Sequence, residues 1–250
     1  MTLALFRYSG NKGRMVKHLP KVPARTMVIY EPFLGSGAYS LNQDSFGASV
    51  VGTEVNTDVV SIWQFLQTTS IQRLVELEEL VEEHKWDKTD IRTLDLPHGE
   101  QSYLKVNCCS VMVGQLSSWK LSPKHKLPVK RTIQALDRAQ HVTVVEGSCF
   151  DASIELTPTS FVFVDPPYLG TRGNYKSGAV DHTVLNKDSL VEWLVKLPCP
   201  ALFTYGSDAV TEFPMFDWQV ACIRKVPNLR KGGTTERVEM FTMIDSPCET

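Results

Sequence analysis

Four consecutive residues late in the chain, Asp165-Pro166-Pro167-Tyr168, combine groups suited to handling a planar amino group. The two prolines fix φ, favour extended geometry before them and remove two backbone N–H donors, so this corner presents carbonyl oxygens. A carboxylate and such a carbonyl can accept both hydrogens of an exocyclic amine, and the tyrosine ring can stack on a base. Holding both hydrogens favours the pyramidal nitrogen, whose lone pair can attack. The tetrapeptide therefore predicts chemistry on an exocyclic amine; the alternative is an Asp-Pro turn with a packed tyrosine.

The element that positions this corner is the apolar run directly before it, Phe161-Val162-Phe163-Val164. Such a run is typical of a buried strand in a parallel sheet. In open α/β sheets, ligands bind in the crevice beyond the carboxyl ends of the strands. We therefore expect the tetrapeptide to lie at a binding crevice.

A glycine turn upstream has the order that a nucleotide site needs. Residues 27–30 are typical of a short buried strand, and they lead into Glu31-Pro32-Phe33-Leu34-Gly35-Ser36-Gly37 and a helical pattern over 38–44. Glycines allow φ > 0 and a close approach of the backbone to a ligand. The apolar run 48–52 leads to Glu54, about 20 residues after the glycines, where an acidic side chain can bind ribose hydroxyls. Because the third glycine of a dinucleotide motif is missing, the turn favours an adenosine without phosphates.

These motifs together resemble those of the Dam-type, alpha-class DNA adenine methyltransferases. The resemblance rests on Phe33-Leu34-Gly35-Ser36-Gly37, on Asp165-Pro166-Pro167-Tyr168 and on Tyr8-Ser9-Gly10-Asn11-Lys12. Residues 229–239, with Gly232-Gly233-Thr234, are similar to a late Gly-Gly-Thr segment of the family. Only residues 69–139 match poorly. The resemblance implies transfer of a methyl group from S-adenosylmethionine to the exocyclic amine of an adenine flipped out of double-stranded DNA.

The resemblance also implies roles for individual residues. Asp165, Pro166, Pro167 and Tyr168 are expected to be catalytic, with Asp165 near both the target amine and the methionine amino group. Glu54 is expected on the ribose and Asp151 near the adenine, although an Asp after a strand is also a common turn or cap residue. The cofactor contacts expected from the family are Tyr8, Lys12, Glu31, Phe33, Gly35, Ser36, Gly37, Glu54, Asp151 and Asp165.

The alternation of strand-like and helical segments predicts an α/β fold. We expect a doubly wound, mostly parallel sheet of the class I methyltransferase type, with an antiparallel edge hairpin and a small, mainly helical insert. Residues 1–68 and 140–250 form the predicted catalytic domain, and 69–139 the inserted target-recognition domain. Helices are expected over 58–67 and 188–196, and strands over 27–30, 48–52, 142–145, 161–164, 201–204, 218–224 and 237–243.

The insert changes character along its length. Residues 72–85 are rich in glutamate and predict a solvated helix, and 101–118 predict a buried one. The family's Asn and Phe-Asn-x-Pro pattern is missing between residues 115 and 131, so the recognition sequence stays open. On a chain of net charge −2, the basic loop 120–131 favours phosphate contact over a solvated face. The residues expected to contact DNA are Trp119, Lys120, Lys124, Lys126, Lys130 and Arg131, with Tyr175 on a flap over 169–182, and Arg230 and Lys231.

Composition restricts the classes of protein. The 250 residues, 42% of them hydrophobic, suit one large domain with a small insert. No stretch approaches the roughly 20 apolar residues of a membrane span, and residues 1–25 lack the apolar core of a signal peptide. Six cysteines without a CxxC pair favour reduced thiols and no bound metal. We expect a cytoplasmic monomer, in a bacterial cell or in a host cell if phage-encoded.

Other functions remain open from sequence. Methylation of the cytosine exocyclic amine would use the same carboxylate and carbonyl acceptors, and RNA can present the same amino group. A non-catalytic nucleic-acid-binding relative could have kept the fold, although an intact Asp165, Tyr168 and glycine turn argue against it.

Overall fold

Nine strands are seen in the computed structural model, which describes residues 3, 5–8, 10, 12–44, 47–109, 119–150, 153–168, 176–177, 180–181, 185–227 and 234–245. They are β1 (Val28–Glu31), β2 (Ser49–Glu54), β3 (Val142–Glu146), β4 (Ser160–Val164), β5 (Lys176–Ser177), β6 (Val180–Asp181), β7 (Ala201–Gly206), β8 (Gln219–Pro227) and β9 (Thr234–Ile244).

Seven of these strands form one sheet in the order β3-β2-β1-β4-β7-β9-β8. The first five in this order pair in parallel, and β9 is antiparallel to both of its neighbours. The chain order reverses between β1 and β4, which is the point where open α/β sheets bind ligands. This arrangement confirms the predicted α/β sheet of the class I methyltransferase type.

The antiparallel hairpin is formed by β8 and β9, as the Gly-Gly segment between two apolar runs predicts. Because β9 lies between β7 and β8, the antiparallel strand is one position in from the edge, and β8 is the edge strand. In the centre of the sheet, every residue of β4 is buried, which is why its sequence shows an unbroken apolar run.

Six helices accompany the sheet in the part of the chain that the structure describes: α1 (Thr57–Thr68), α2 (Ile71–His84), α3 (His98–Cys108), α4 (Val129–Gln140), α5 (Lys187–Val195) and α6 (Ala209–Glu212). Side-chain oxygens of Asn56, Ser70 and Asn186 accept backbone N–H groups at the starts of α1, α2 and α5. These caps satisfy donors that a helix start leaves free. None of the described helices is long and apolar enough to cross a membrane.

The helices of the predicted insert share a hydrophobic cluster with the predicted catalytic part. Leu74 and Leu77 of α2 and Tyr103 of α3 belong to the same buried cluster as Trp63 of α1 and Phe6 of the N-terminal segment. The backbone of α1 lies close to those of α3 and α4. The helices α2, α3 and α4 therefore form a layer in which α3 and α4 pack on α1, and the division of the chain into two domains stays a proposal.

Three local predictions need correction. The helix expected over 38–44 is a single 3-10 turn, Ser40–Asn42, because the Asn42 and Gln43 side chains donate to the carbonyls of Ala38 and Tyr39 and compete with helical bonding. The buried helix expected over 101–118 ends at Cys108, and 110–118 lie outside the described residues. The basic loop ends at Pro128, which precedes the first turn of α4 and so places Lys130 and Arg131 on a helix.

Candidate functional site

A cavity of about 330 Å³ opens at the carboxyl ends of β1, β2, β4 and β7. Its size lies within the range of small-molecule sites. Both sequence motifs line it: the glycine turn through Phe33, Gly35 and Ser36, and the tetrapeptide through all four of its residues. The sheet topology therefore brings together two motifs that are far apart in the chain.

A side chain of α1 holds the glycine turn in place. Trp63 is fully buried, and its indole N–H donates to the carbonyl of Gly35 at 2.8 Å. Gly35 has φ +48° and Gly37 has φ +60°, a region that favours glycine. A Cβ atom on Gly35 would lie 2.7 Å from Cε1 of Tyr8, and one on Gly37 would lie 2.8 Å from Trp63. Both glycines are thus required by protein packing as well as by backbone conformation.

Two buried carboxylates support this turn. The Glu54 carboxylate accepts the N–H of Gly35 at 3.0 Å and that of Asn56 at 2.9 Å, so it ties β2 to the glycine turn. Burial raises the pKa of Glu54, against the lowering effect of these hydrogen bonds. Glu31 accepts the N–H of Ser40 at 2.8 Å, and burial raises its pKa to about 7. The negative charge of Asp165 makes a smaller contribution to this rise.

The Asp165 carboxylate is paired with Lys12. The Lys12 ammonium lies 2.6 Å from Asp165 Oδ1 and donates to the carbonyl of Gly10 at 3.1 Å. The hydroxyl of Thr204 on β7 lies 3.0 Å from the same Oδ1. The Lys12 side chain is 5% exposed and that of Asp165 is 18% exposed. Burial raises the pKa of Asp165, and the Lys12 ammonium opposes this by favouring the ionised carboxylate.

Tyr168 completes the wall of the cavity beside Asp165. The Lys12 ammonium lies 5.2 Å from the centroid of its ring. The Tyr205 ring packs beside it at a centroid distance of 4.6 Å, tilted by 43°. The Tyr168 hydroxyl donates to Glu239 Oε2 of β9 at 2.5 Å. A carboxylate, a cation and an aromatic ring therefore converge at one end of the cavity.

Of the residues predicted from sequence, some line the cavity, some lie elsewhere, and some lie outside the described residues. Gly37 is the only described member of the predicted cofactor and catalytic sets that does not line the cavity, since it packs behind the turn on Trp63. None of the lining residues comes from 119–131. Asp151, Tyr175, Arg230 and Lys231 lie outside the described residues, as does most of the flap predicted over 169–182. The lining members are Tyr8, Lys12, Glu31, Phe33, Gly35, Ser36, Glu54, Asp165, Pro166, Pro167 and Tyr168.

The basic segment lies on the surface of the helical layer. Leu121 and Leu127 anchor it in the core, while Lys120, Lys124 and Lys126 are exposed. Lys130 and Arg131 are also exposed. These charged side chains lie at the surface, and the contact of the segment with DNA stays a prediction.

Trp119, which precedes this segment, is packed against cations of its own chain. Lys105 Nζ lies 3.9 Å from a ring centroid of Trp119, and the Arg92 guanidinium lies 5.5 Å from it. Lys105 also forms an ion pair with Asp58 at 2.9 Å. The half-buried ring therefore has a structural role in joining the segment to α3 and α1, and its predicted DNA contact stays a prediction.

Sequence reasoning missed several residues that contact the site, of which Tyr205 and Glu239 line the cavity. Thr204 and Glu239 contact the tetrapeptide directly, and Tyr205 packs on Tyr168. The carboxyl end of β7 is a position where sheet geometry predicts site residues, so Thr204 and Tyr205 could have been found. Glu239 lies in the middle of an antiparallel strand and carries no local signal. The described residues contain no cluster of three or more His, Cys, Asp and Glu side chains that could hold a metal ion.

Comparison of the chain with protein-family models and with curated protein sequences found no match. Solved structures with a similar course of the chain include precorrin-6y C5,15-methyltransferase from Geobacter metallireducens, at 10% identity and a TM-score of 0.43, covering 94% of this chain and 86% of that one. An rRNA methylase from Streptococcus thermophilus has 11% identity and a TM-score of 0.38, with 94% and 97% covered. TYW2 from M. jannaschii, in complex with AdoMet, has 12% identity and a TM-score of 0.36, with 94% and 76% covered. At these values, none of the three identifies the cofactor or the substrate of this chain.

Proposed function

We propose that the protein is an S-adenosylmethionine-dependent DNA methyltransferase that acts on the exocyclic amine of adenine. The observation that carries the proposal is the meeting of Asp165-Pro166-Pro167-Tyr168 with the glycine turn in one cavity, at the point where the strand order reverses. A cofactor pocket and an amine-binding corner must adjoin for a direct transfer. Their chemistry and their adjacency are both in keeping with this reaction.

The cavity suits the proposed cofactor in charge as well as in size. S-adenosylmethionine carries a sulfonium and an ammonium group, and three acidic side chains of the lining, Glu31, Glu54 and Asp165, offer negative charge or hydrogen-bond acceptors to them. Glu54 lies at the end of β2, where it is proposed to bind the ribose hydroxyls. Its oxygens accept the backbone N–H groups of Gly35 and Asn56, and a carboxylate oxygen can accept more than one hydrogen bond.

Asp165 is proposed to hold the target amine in the orientation needed for attack. The described contacts with Lys12 and Thr204 are both made by Oδ1, so we assign Oδ2 to one amine hydrogen and the Pro166 carbonyl to the other. The Lys12 ammonium favours the ionised carboxylate, which is the form that accepts both hydrogen bonds. When bound, the cofactor supplies a methyl group on a positively charged sulfur, which retains the electron pair of the broken bond. The amine nitrogen forms the new bond to carbon and releases to Asp165 Oδ2 the proton that this oxygen was assigned.

An adenine within a duplex cannot reach this corner. The base must rotate out of the stack, at a cost of a few kcal/mol, and stacking on Tyr168 would offset part of that cost. Orientation of the amine beside the methyl carbon would supply much of the rate, because the reaction needs no covalent enzyme intermediate. The exposed cations of residues 120–131 are proposed to contact the phosphates.

Nucleoside analysis after incubation with labelled cofactor tests the proposal. Purified protein is incubated with methyl-labelled S-adenosylmethionine and with unmethylated plasmid DNA or RNA, and the digested nucleosides are separated by mass spectrometry. We expect label in N6-methyladenine from DNA. Label in N4-methylcytosine or only in RNA would support the alternative substrates, and cofactor binding without transfer to any of them would contradict the proposal.

Two variants tie the activity to the site. Asp165→Ala removes the amine acceptor, so we expect transfer to be abolished while the fold is retained, since the strand before it is set by residues 160–164. Asp217→Ala is the matched control, because this exposed aspartate between α6 and β8 does not line the cavity. Activity of Asp165→Ala within tenfold of the unmutated protein would refute the assignment.

A further inference from the structure

A hydrogen bond joins Tyr168 to a buried carboxylate on the far hairpin of the sheet. The Tyr168 hydroxyl donates to Glu239 Oε2 at 2.5 Å. Glu239 is 4% exposed, and it lies on β9, outside the glycine turn and the tetrapeptide. A buried carboxylate is costly unless hydrogen bonds satisfy it, so this contact is a specific feature of the fold.

Strand register explains how the tyrosine reaches this carboxylate. Glu239 pairs directly with Gly206 in the antiparallel ladder between β7 and β9. Because Gly206 has no side chain, the Tyr168 ring lies over it: a Cβ atom there would be 3.1 Å from Cε2 of the ring. The ring is therefore enclosed by Gly206 beneath, Tyr205 beside it and Glu239 at its hydroxyl end.

The contacts with Gly206, Tyr205 and Glu239 fix the position of the Tyr168 ring relative to Asp165. The carboxylate that would hold the amine is anchored by Lys12 and Thr204, and the hydroxyl of the ring that would stack on the base is held by Glu239. A base bound at both points needs the two anchors to keep a constant spacing. A tyrosine held only by packing can rotate about its side-chain torsions, whereas one with a bonded hydroxyl is fixed at both ends.

We infer that Glu239 is a positioning residue, which holds Tyr168 as the stacking platform for the base undergoing methylation. The inference rests on the proposed function and names a residue and a contact beyond it. Positioning by Glu239 requires the Tyr168 hydroxyl, whereas stacking on a base needs only the tyrosine ring. Removal of either partner should therefore impair turnover on DNA and leave cofactor binding unchanged.

Steady-state kinetics on unmethylated plasmid DNA test the inference with four variants: Glu239→Ala, Glu239→Gln, Tyr168→Phe and the Glu239→Ala/Tyr168→Phe double variant. We expect Glu239→Ala and Tyr168→Phe each to lower kcat by about 10- to 100-fold, the range of a hydrogen bond to a charged group. Glu239→Gln keeps an oxygen that accepts from the hydroxyl, so it should retain most of the activity. The double variant should be no slower than the slower single variant, because both changes remove one interaction.

Controls separate this inference from the function on which it rests. The affinity for S-adenosylmethionine, measured by calorimetry, should stay within about twofold in all variants, and thermal unfolding reports whether each one folds. Glu83→Ala, an exposed glutamate of α2, is the matched surface control. If the unmutated protein methylates DNA but Glu239→Ala is as fast, or if the two losses multiply in the double variant, the inference is wrong. If the unmutated protein transfers no methyl group, the proposed function fails first.

Discussion

Replacement of Gly35 by alanine tests how the glycine turn shapes the cavity. At Gly35 the backbone has φ +48°, and its N–H and carbonyl are both bonded, to Glu54 and to Trp63. The turn therefore cannot relax easily into another conformation. A Cβ atom would lie 2.7 Å from Cε1 of Tyr8, so the tyrosine ring must move. Because Tyr8 also lines the cavity, we expect Gly35→Ala to reduce both stability and cofactor affinity.

The expected size of the effect has two parts. A left-handed backbone conformation costs a non-glycine residue about 1–2 kcal/mol. Displacement of a packed ring adds about 1–3 kcal/mol, as for other overpacked sites. The free energy of unfolding should therefore fall by about 2–5 kcal/mol. Gly47→Ala is the matched control: its φ is +92°, but no atom lies within 4 Å of the added Cβ, so only the backbone cost remains.

Urea denaturation and calorimetry measure the two effects. We expect the unfolding midpoint of Gly35→Ala to fall further than that of Gly47→Ala, with an unchanged m value in both. Only Gly35→Ala should bind S-adenosylmethionine more weakly. Tyr8→Ala combined with Gly35→Ala should destabilise less than the sum of the single changes, because the close approach is then removed.

Equal effects of the two alanine substitutions would refute this reasoning. In that case, the close approach of Gly35 to Tyr8 would have no energetic consequence, and the glycine would be required by its φ alone. Additive losses in the Gly35→Ala/Tyr8→Ala double variant would lead to the same conclusion.

Two further predictions concern a buried carboxyl and the basic segment. Burial raises the Glu31 pKa from 4.5 to about 7, so folding disfavours its ionised form, and stability should fall as the pH rises from about 4.5 to about 7. Glu31→Gln should lessen that fall by about 3 kcal/mol in urea titrations at pH 4.5 and 7.5, whereas parallel curves for the two proteins would contradict it. Replacing Lys124, Lys126 and Lys130 by alanine should weaken binding to all duplexes alike and flatten the log-log salt dependence by up to about 0.9 for each phosphate that is no longer neutralised. A weakening confined to the cognate duplex would instead indicate base reading, and no change on any duplex would show that recognition lies elsewhere.

The sequence by itself determined the strands of the sheet and the positions of its two motifs. Buried strands show unbroken apolar runs, as in residues 161–164, and glycine and proline mark the turns that follow them. These signals are local, so they can be recognised in the sequence without knowledge of the fold. They failed where side chains compete with the backbone, as in residues 38–44, which form only a 3-10 turn.

The contacts within the site were decided by tertiary structure. Nothing near Lys12 in the sequence indicates that its ammonium pairs with Asp165, and nothing near Glu239 indicates that it accepts the Tyr168 hydroxyl. Both contacts depend on which strands are neighbours and on the register between β7 and β9, which places Glu239 opposite Gly206. A register shift of one residue would turn Glu239 to the other face of the sheet. Such pairings belong to the packed sheet as a whole, and this is why the chain's local patterns do not contain them.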